Sequence, residues 1–217
     1  MAPNKSDVAP KRKSQTWVAL ALGLALIGGL GAAEPRTIIF FGDSLTAGYG
    51  LEDPDQAYPA VIQRKLEAAG RPWRVVNAGL SGETTAGGLR RLDWILRQPA
   101  DIFVIELGGN DGLRGIAPES TRANLQAMID RIRSRLPNVI VVLAGMRMPT
   151  NLGPEYTNLF AAIYPDLAHK NQLPLVPFLL DGLGGQTRLN QPDGIHPTAE
   201  GHKLVAETVW RVLEPLL

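Results

Sequence analysis

The stretch TIIFFGDSLT, residues 37–46, joins an apolar run to an abrupt change of composition at Gly42. Residues 37–41 predict a strand that is buried on both faces, because they are apolar or β-branched and do not alternate with polar residues. Gly42 allows a tight turn from this strand into a helix, which would present Ser44 at the tip of the turn. Asp and Ser are also common helix N-caps, so this motif alone is equally compatible with a structural role.

The same pattern, a short apolar run followed by a longer helical segment, recurs along the chain. Four further strands are predicted at residues 73–77, 102–107, 139–143 and 175–177. Apolar residues at helical spacing predict helices over 118–136 and 154–170. A last helix is predicted over about 197–213, with Pro197 in its first turn. Five units of strand and helix predict an α/β fold with three layers and a parallel sheet.

The first 33 residues differ from the remainder in charge and hydropathy. Four basic residues, the last of them Lys13, precede the uncharged stretch WVALALGLALIGGLGAA at 17–33. Basic, apolar and small residues in this order are typical of a secretory signal peptide, here ending at Ala33. An uncleaved membrane anchor is the alternative, although the stretch is at the short edge of the roughly 20 residues that a bilayer requires. We therefore expect a signal peptide at 1–33, one domain at 34–217 and a periplasmic or secreted protein.

Composition restricts the classes of function that remain open. The chain has 22 basic and 21 acidic residues, and since 1–33 holds four of the former and one of the latter, the remainder carries a net charge of −2. This balance offers no electrostatic basis for binding nucleic acid. The sequence contains no cysteine, which excludes disulfides, a cysteine nucleophile and thiolate metal sites. Three histidines leave little material for a metal site, so we expect no metal. A monomer is the default expectation, without stable membrane insertion once the signal is cleaved.

Residues with catalytic potential follow two further strands and also lie near the C-terminus. Gly82 lies in NAGLSGET (77–84), where glycines let a backbone N–H approach a ligand closely. Asn110 lies in ELGGND (106–111) and carries an amide that can donate to a developing oxyanion. Asp193 and His196 lie in DGIHP (193–197), close enough along the chain for their side chains to lie side by side. Each segment on its own is also a common turn or helix cap.

Together these segments predict one site, because the carboxyl ends of parallel strands meet at a single edge of the sheet. Ser44 is the expected nucleophile, His196 the base that removes its proton, and Asp193 the carboxylate that orients the imidazole. The order Ser, Asp, His along the chain is one that serine hydrolases use. His169 and His202 fall within helical patterns and are expected to be solvated or packed side chains.

In this order, the segments GDSL (42–45), SGET (81–84), GGND (108–111) and DGIHP (193–197) resemble the four blocks of the SGNH (GDSL) hydrolases. The resemblance covers roughly residues 37–215, nearly all of the chain after the predicted signal peptide. VIELGGNDGLRG (104–115) and AIYP (162–165) are similar to one subgroup in particular. That subgroup comprises the bacterial periplasmic multifunctional enzyme with thioesterase, protease and lysophospholipase activities, together with its arylesterase relatives.

This resemblance implies a flavodoxin-like α/β/α sandwich around a five-stranded parallel sheet. It implies catalysis without a cofactor by the triad Ser44, His196 and Asp193. It also implies an oxyanion hole formed by the backbone N–H groups of Ser44 and Gly82 and the side chain of Asn110.

The resemblance further implies a serine esterase that hydrolyses carboxylic esters and thioesters, of the arylesterase, thioesterase or lysophospholipase type. The loop 111–116 would move on acyl binding, and Asp111, Met148 and Ile195 would contact the small-molecule or lipid substrate. A carbohydrate O-deacetylase is the alternative within the family. A binding module without catalysis and a nucleotide- or flavin-binding protein are less well supported, the latter because these segments contain no phosphate-binding motif.

Overall fold

Five mostly apolar segments form the strands of one parallel sheet. They are β1 (Arg36–Gly42), β2 (Trp73–Gly79), β3 (Ile102–Glu106), β4 (Ile140–Ala144) and β5 (Leu175–Val176). Their order across the sheet is β2-β1-β3-β4-β5. The computed structural model describes Met1 and residues 35–217, so the predicted signal peptide lies, except for Met1, outside the described residues. All five predicted strands are confirmed, with ends that differ by up to two residues.

Helices cover both faces of this sheet. The α-helices of the described part are α1 (Ser44–Ala47), α2 (Tyr58–Ala68), α3 (Thr85–Ile95), α4 (Gly109–Leu113), α5 (Pro118–Arg135), α6 (Pro154–Asn171) and α7 (Ala199–Leu213). Helix α2 packs against α7, whereas α5 packs against both α3 and α6 in a second layer. The strand order is that of flavodoxin-like doubly wound folds, which confirms the predicted three-layer sandwich. Within residues 35–217, no helix has both the length and the apolar content that crossing a membrane requires.

The sheet has a switch point between β1 and β3. Strand β2 lies on one side of β1, and β3, β4 and β5 follow on the other side. In open α/β sheets, ligands bind in the crevice outside the carboxyl ends of the strands at this point. Gly42, the last residue of β1, stands beside Gly79 of β2 and Glu106 of β3. The segment that follows β1 therefore begins about 5 Å from each of the segments that follow β2 and β3, and those two begin about 10 Å apart.

Apolar side chains from the sheet and from both helical layers form one hydrophobic core. This core belongs to Glu34–Leu217, which is a compact unit by itself. Residues 38–41 of β1 and all of β3 are buried, as expected for strands that are covered on both faces. Glu106 is the one carboxyl within these two buried runs, and it lies at the edge of the sheet where the strands end.

The last helix begins later than predicted, because Pro197 lies outside α7. Thr198 is the N-cap, and its hydroxyl oxygen accepts a hydrogen bond from the N–H of Gly201 at 3.2 Å. A threonine hydroxyl satisfies one of the free N–H groups in the first helical turn, which a proline side chain cannot do. Pro197 instead pairs with Asn190 in an isolated antiparallel bridge, and this contact anchors the segment that carries His196.

His202 in α7 is a packed side chain, whereas His169 in α6 is exposed to solvent. The Nδ1 atom of His202 accepts a hydrogen bond from the backbone N–H of Tyr58 at 3.2 Å. Its Nε2 atom has no hydrogen-bond partner in the part of the chain that the structure describes. Burial, followed by the charge that His196 can carry, lowers the pKa of His202 to about 4.

We expect His202 to make the fold sensitive to acid. In the unfolded chain the pKa of this residue returns to its ordinary 6.5, so between pH 6.5 and 4 the unfolded chain binds a proton that the folded chain does not. The free energy of unfolding should therefore fall as the pH decreases through this range, by about 3 kcal/mol from His202 alone. Urea unfolding of residues 34–217 at several pH values measures this effect.

The matched variant is His202→Asn, whose amide oxygen can still accept the N–H of Tyr58 but which cannot become charged. The stability advantage of the wild type over this variant should shrink by about 3 kcal/mol between pH 6.5 and 4. Other groups that titrate in this range are common to both proteins and cancel in the difference. A difference that stays constant across the range would contradict the role given to His202.

Candidate active site

The first site residue, Ser44, is placed by the turn between β1 and α1. Asp43 is the N-cap of α1, and its Oδ1 atom accepts a hydrogen bond from the N–H of Leu45 at 3.0 Å. Ser44 follows as the first residue of the helix and is 9% exposed. A side chain at Gly42 would collide with Thr46 and Glu106, so the turn needs glycine there. The motif is thus both a helix start and the site of an accessible hydroxyl.

Ser44, His196 and Asp193 form one continuous chain of hydrogen bonds. Asp193 Oδ2 lies 2.6 Å from His196 Nδ1, and His196 Nε2 lies 2.9 Å from Ser44 Oγ. A carboxylate can only accept, so Nδ1 carries the proton and Nε2 is left to accept the serine hydroxyl. The structure therefore brings together the three residues that the sequence proposed as a triad.

The carboxylate of Asp193 is held by its own loop. Its Oδ1 atom accepts the backbone N–H groups of Ile195 at 2.9 Å and of His196 at 3.0 Å. The backbone hydrogen bond from His196, followed by the bond from its ring, lowers the pKa of Asp193 to about 2. Asp193 is consequently an anion throughout the neutral range, ready to orient the imidazole.

The imidazole of His196 is also covered by an aromatic ring that the sequence did not single out. The ring centroids of Tyr49 and His196 lie 4.7 Å apart at an angle of 45°. Gln191 holds the two loops together, since its side-chain amide donates to the carbonyl oxygens of Tyr49 at 2.7 Å and Pro197 at 2.9 Å. An aromatic ring at this distance restricts the orientation of the imidazole.

Two backbone N–H groups in the segments that follow β1 and β2 are free to bind a ligand. Among the described residues, neither the N–H of Ser44 nor that of Gly82 donates a hydrogen bond. Gly82 has a φ of +79°, a conformation that favours glycine, and its carbonyl oxygen accepts a hydrogen bond from Arg114 at 3.0 Å. Both were expected to be oxyanion donors, and both are available for that role within the described residues.

The third expected donor, Asn110, is already engaged. Its side-chain Nδ2 donates to Asp43 Oδ2 and to the carbonyl oxygen of Glu83, each at 3.1 Å. A ligand oxygen at this site would have to share one of these hydrogens with the Asp43 carboxylate. Asn110 is therefore held in a defined orientation, next to the serine, before any ligand arrives.

Two buried carboxyl groups lie directly below the serine turn. The backbone N–H of Asp43 donates to Glu106 Oε2 at 3.3 Å, and the Thr46 hydroxyl donates to the same oxygen at 2.7 Å. Burial raises the pKa of Asp43 to about 6. Burial and then the nearby Asp43 charge raise the pKa of Glu106 well above its usual value. A charge on Asp43, beside Asn110, therefore opposes ionisation of Glu106.

Arg91 in α3 links the loops that carry the site. Its guanidinium donates to the carbonyl oxygens of Gly42 at 3.2 Å and Ala78 at 2.8 Å, and it pairs with the buried carboxylate of Glu83 at Nε–Oε2 2.5 Å. It also stacks over the ring of Phe41 at 4.2 Å. Arg91 thus joins the ends of β1 and β2 to Glu83, the residue that follows Gly82. Neither Arg91 nor Glu106 was predicted as part of the site. The position of Glu106, a carboxyl at the end of an otherwise apolar strand, could have indicated its role.

An apolar cavity of about 570 Å³ opens beside the serine. Ser44, Asn110 and His196 lie in its wall. The apolar side chains that line it are Leu45, Leu113, Met146, Met148, Pro149, Phe178, Leu180, Leu183 and Ile195. Met148 and Ile195, which were expected to contact the substrate, are among them, whereas the phenylalanine and leucine residues after β5 were not predicted.

Asp111, which was expected to contact the substrate, does not lie in the wall of this cavity. Its carboxylate is buried and accepts the backbone N–H of Thr85 at 2.8 Å and the Thr85 hydroxyl at 2.5 Å. A third hydrogen bond comes from the hydroxyl of Thr121 at 3.3 Å. A buried carboxylate needs such donors, so the side chain points inward and fixes the start of α3 and α5 around α4.

The site lies at the switch point of a flavodoxin-like parallel sheet, beside an apolar cavity. Its serine, imidazole and carboxylate, joined in one chain of hydrogen bonds, have the arrangement of a serine hydrolase. The family model described as "GDSL-like Lipase/Acylhydrolase family" matches residues 40–204. The chain belongs to this family, as the resemblance in its sequence implied.

Several characterised proteins are similar to this chain over most of its length. It is 43% identical over 196 residues to "Esterase TesA" of Pseudomonas aeruginosa, covering 89% of this chain and 96% of that protein. It is 37% identical over 187 residues to "Thioesterase 1/protease 1/lysophospholipase L1" of Escherichia coli K12, covering 86% and 87%. It is also 37% identical over 195 residues to "Arylesterase" of Vibrio mimicus, covering 88% and 96%.

Solved structures agree with these relationships. A crystal structure of TesA superposes with a TM-score of 0.80 at 43% identity, over 84% of this chain and all of that one (100%). A structure of the esterase EstA from Pseudoalteromonas sp., inhibited by monoethylphosphonate, gives a TM-score of 0.78 at 31% identity, over 83% and 98%. The fold and the family are therefore shared along the whole described domain.

Arg91→Met should destabilise the fold by about 3 kcal/mol, because it leaves the buried carboxylate of Glu83 without its cation. The double variant Arg91→Met with Glu83→Gln removes that uncompensated charge and should recover more than half of the loss. Urea unfolding of the wild type, both single variants and the double variant at pH 7 gives the coupling energy. A double variant that loses the full sum of the two single losses would show that the pair is not coupled.

Proposed function

We propose that this protein hydrolyses carboxylic esters and thioesters with medium or long acyl chains, through a covalent acyl-serine intermediate. The observation that carries the proposal is the hydrogen-bonded chain from Asp193 through His196 to Ser44, at the wall of an apolar cavity. The names of its relatives, which include esterase, thioesterase, lysophospholipase and arylesterase, support the same reaction class.

In the first half-reaction, Ser44 Oγ attacks the carbonyl carbon while His196 Nε2 accepts its proton. The carbonyl oxygen becomes an oxyanion and binds the N–H groups of Ser44 and Gly82. Asn110 adds a third donor by sharing the hydrogen that it now gives to Asp43. The protonated His196 then donates to the leaving alcohol or thiol, and the acyl group remains on Ser44 as an ester.

In the second half-reaction, water takes the place of the leaving group. His196 removes a proton from the water, and the resulting oxygen attacks the acyl-serine carbonyl. Collapse of the second oxyanion returns the proton to Ser44 Oγ and releases the carboxylic acid. Asp193 stays ionised throughout and stabilises the imidazolium that forms in each half-reaction.

The acyl chain is proposed to lie in the apolar cavity, in contact with Met148 and Ile195. Burying it there removes apolar surface from water, which favours binding in proportion to chain length. A carbohydrate O-deacetylase would present a polar sugar to the cavity and only a methyl group to its apolar wall. The lining therefore favours the longer acyl chain over that alternative.

We also propose that the protein is exported, with residues 1–33 as the signal peptide and 34–217 as a periplasmic or secreted enzyme. The order of basic, apolar and small residues before Glu34 supports this. A monomer is sufficient for the activity, since every group assigned to the reaction comes from one chain.

Ser44→Ala should abolish hydrolysis by removing the nucleophile, and it should leave the fold intact because the hydroxyl bonds only to the histidine ring among the described residues. The measurement is a series of p-nitrophenyl esters from acetyl to palmitoyl, with residues 34–217 and the variant side by side. Serine-dependent activity with an optimum above acetyl is expected. Activity confined to the acetyl ester would favour the O-deacetylase, and full activity in a folded variant would refute the mechanism.

Asp193→Asn should lower kcat by as much as about 10⁴-fold, with a small change in KM, because an amide can stabilise the wrong imidazole tautomer. The amide oxygen can still accept the N–H groups of Ile195 and His196, so the loop should keep its shape. Steady-state kinetics on p-nitrophenyl butyrate test this expectation. A variant with wild-type kcat would remove Asp193 from the mechanism.

A further inference from the structure

Large apolar side chains are exposed at an unusual set of positions. Within residues 35–217, seven such side chains are between 37% and 66% exposed. Each of the five strands is followed by one of these side chains, in the segment that leaves the carboxyl end of the strand. These five, which we call the apolar rim, are Tyr49, Leu80, Leu113, Leu152 and Ile195.

The contacts of the rim place it around the entrance to the site. The ring of Tyr49 lies on His196, and Leu113 and Ile195 line the cavity beside the serine. Leu80 leaves β2 with its N–H bonded to the carbonyl oxygen of Gly42, two residues before Gly82. Leu152 ends a short turn of 3₁₀ helix, Thr150–Leu152, that directly follows the cavity-lining Pro149.

Packing within the chain does not explain the rim. Single exposed apolar residues are ordinary on protein surfaces, but a group of them at the entrance of a ligand site marks an interaction surface. The remaining two exposed side chains lie on helices. One of them, Trp94, is the penultimate residue of α3, which starts at the carboxyl end of the sheet and therefore ends at the opposite edge.

We propose that the apolar rim docks the enzyme onto a lipid surface, a bilayer or micelle of the amphiphile that supplies the acyl ester. This inference rests on the proposed function, because it assumes that an acyl chain enters the cavity. The rim is continuous with the cavity lining through Leu113 and Ile195, so a docked enzyme can draw an acyl chain from the lipid without passing it through water. A protein seated on the same surface would instead close the entrance.

Direct binding to vesicles tests this proposal. Residues 34–217 are used, because the apolar segment before them could bind lipid by itself. The probe is a suspension of phosphatidylcholine vesicles, and the readout is the fraction of protein that sediments with them. Replacing Leu80 and Leu152 together by Gln should weaken this partition at least about tenfold, since both side chains lose their apolar contact with the lipid.

Trp94→Gln is the matched control, because it removes a larger exposed apolar side chain from the opposite edge of the sheet. Its partition into vesicles should equal that of the wild type. Leu152→Gln alone provides a second rim variant if the double variant unfolds, and thermal unfolding checks all of them. Undetectable binding of the wild type, equal binding of the rim variants, or an equal loss in Trp94→Gln would overturn the proposal.

A kinetic measurement separates this proposal from the proposed function. Hydrolysis of dissolved p-nitrophenyl butyrate should be unchanged by the rim substitutions, because neither Leu80 nor Leu152 lines the cavity. Hydrolysis of p-nitrophenyl palmitate carried in the vesicles should fall in parallel with the partition. Vesicle binding without any serine-dependent hydrolysis would refute the proposed function and leave the docking surface standing, whereas equal losses on both esters would refute the docking surface.

Discussion

The parallel pairing of β1 between β2 and β3 is the constraint on which the rest of the site depends. Because these strands run in the same direction, their carboxyl ends stop at one edge, with Gly42 beside Gly79 and Glu106. The segments that leave this edge carry the serine, the free N–H of Gly82 and the amide of Asn110. Backbone hydrogen bonds buried in the core set these positions, so the site inherits the rigidity of the sheet.

Buried polar groups then convert this rough proximity into a defined geometry. Asp43 caps the serine helix and orients Asn110, while Arg91 joins two strand ends to Glu83. Such groups are costly to bury, and one oxygen of Glu106 has no hydrogen-bond partner in the described part of the chain. These buried polar and charged groups thus concentrate beneath the reacting serine, where they contribute to its orientation at a cost in stability.

At the surface of the same edge, apolar side chains are exposed to solvent, the opposite of the buried polar groups below. A large apolar side chain is exposed after every strand, around the entrance of a cavity with an apolar lining. A single edge of the sheet therefore carries a polar network below, a reactive chain of hydrogen bonds in the middle and an apolar surface above. This layering suits an amphiphilic ester, whose polar reacting group must meet the serine while its acyl chain leaves water.

The sequence by itself determined the features that depend on neighbours along the chain. Apolar runs and their turn residues identified all five strands, and Asp193 and His196 were paired because so few residues separate them. It also proposed Ser44, Gly82 and Asn110, since each follows a strand within a few residues. Contacts between distant segments were decided only by the tertiary structure, because packing sets the direction in which a side chain points. Local pattern does not show which distant segment a side chain meets. For this reason Arg91 and Tyr49 were missed, and the burial of Asp111, which was expected to contact the substrate, was not predicted.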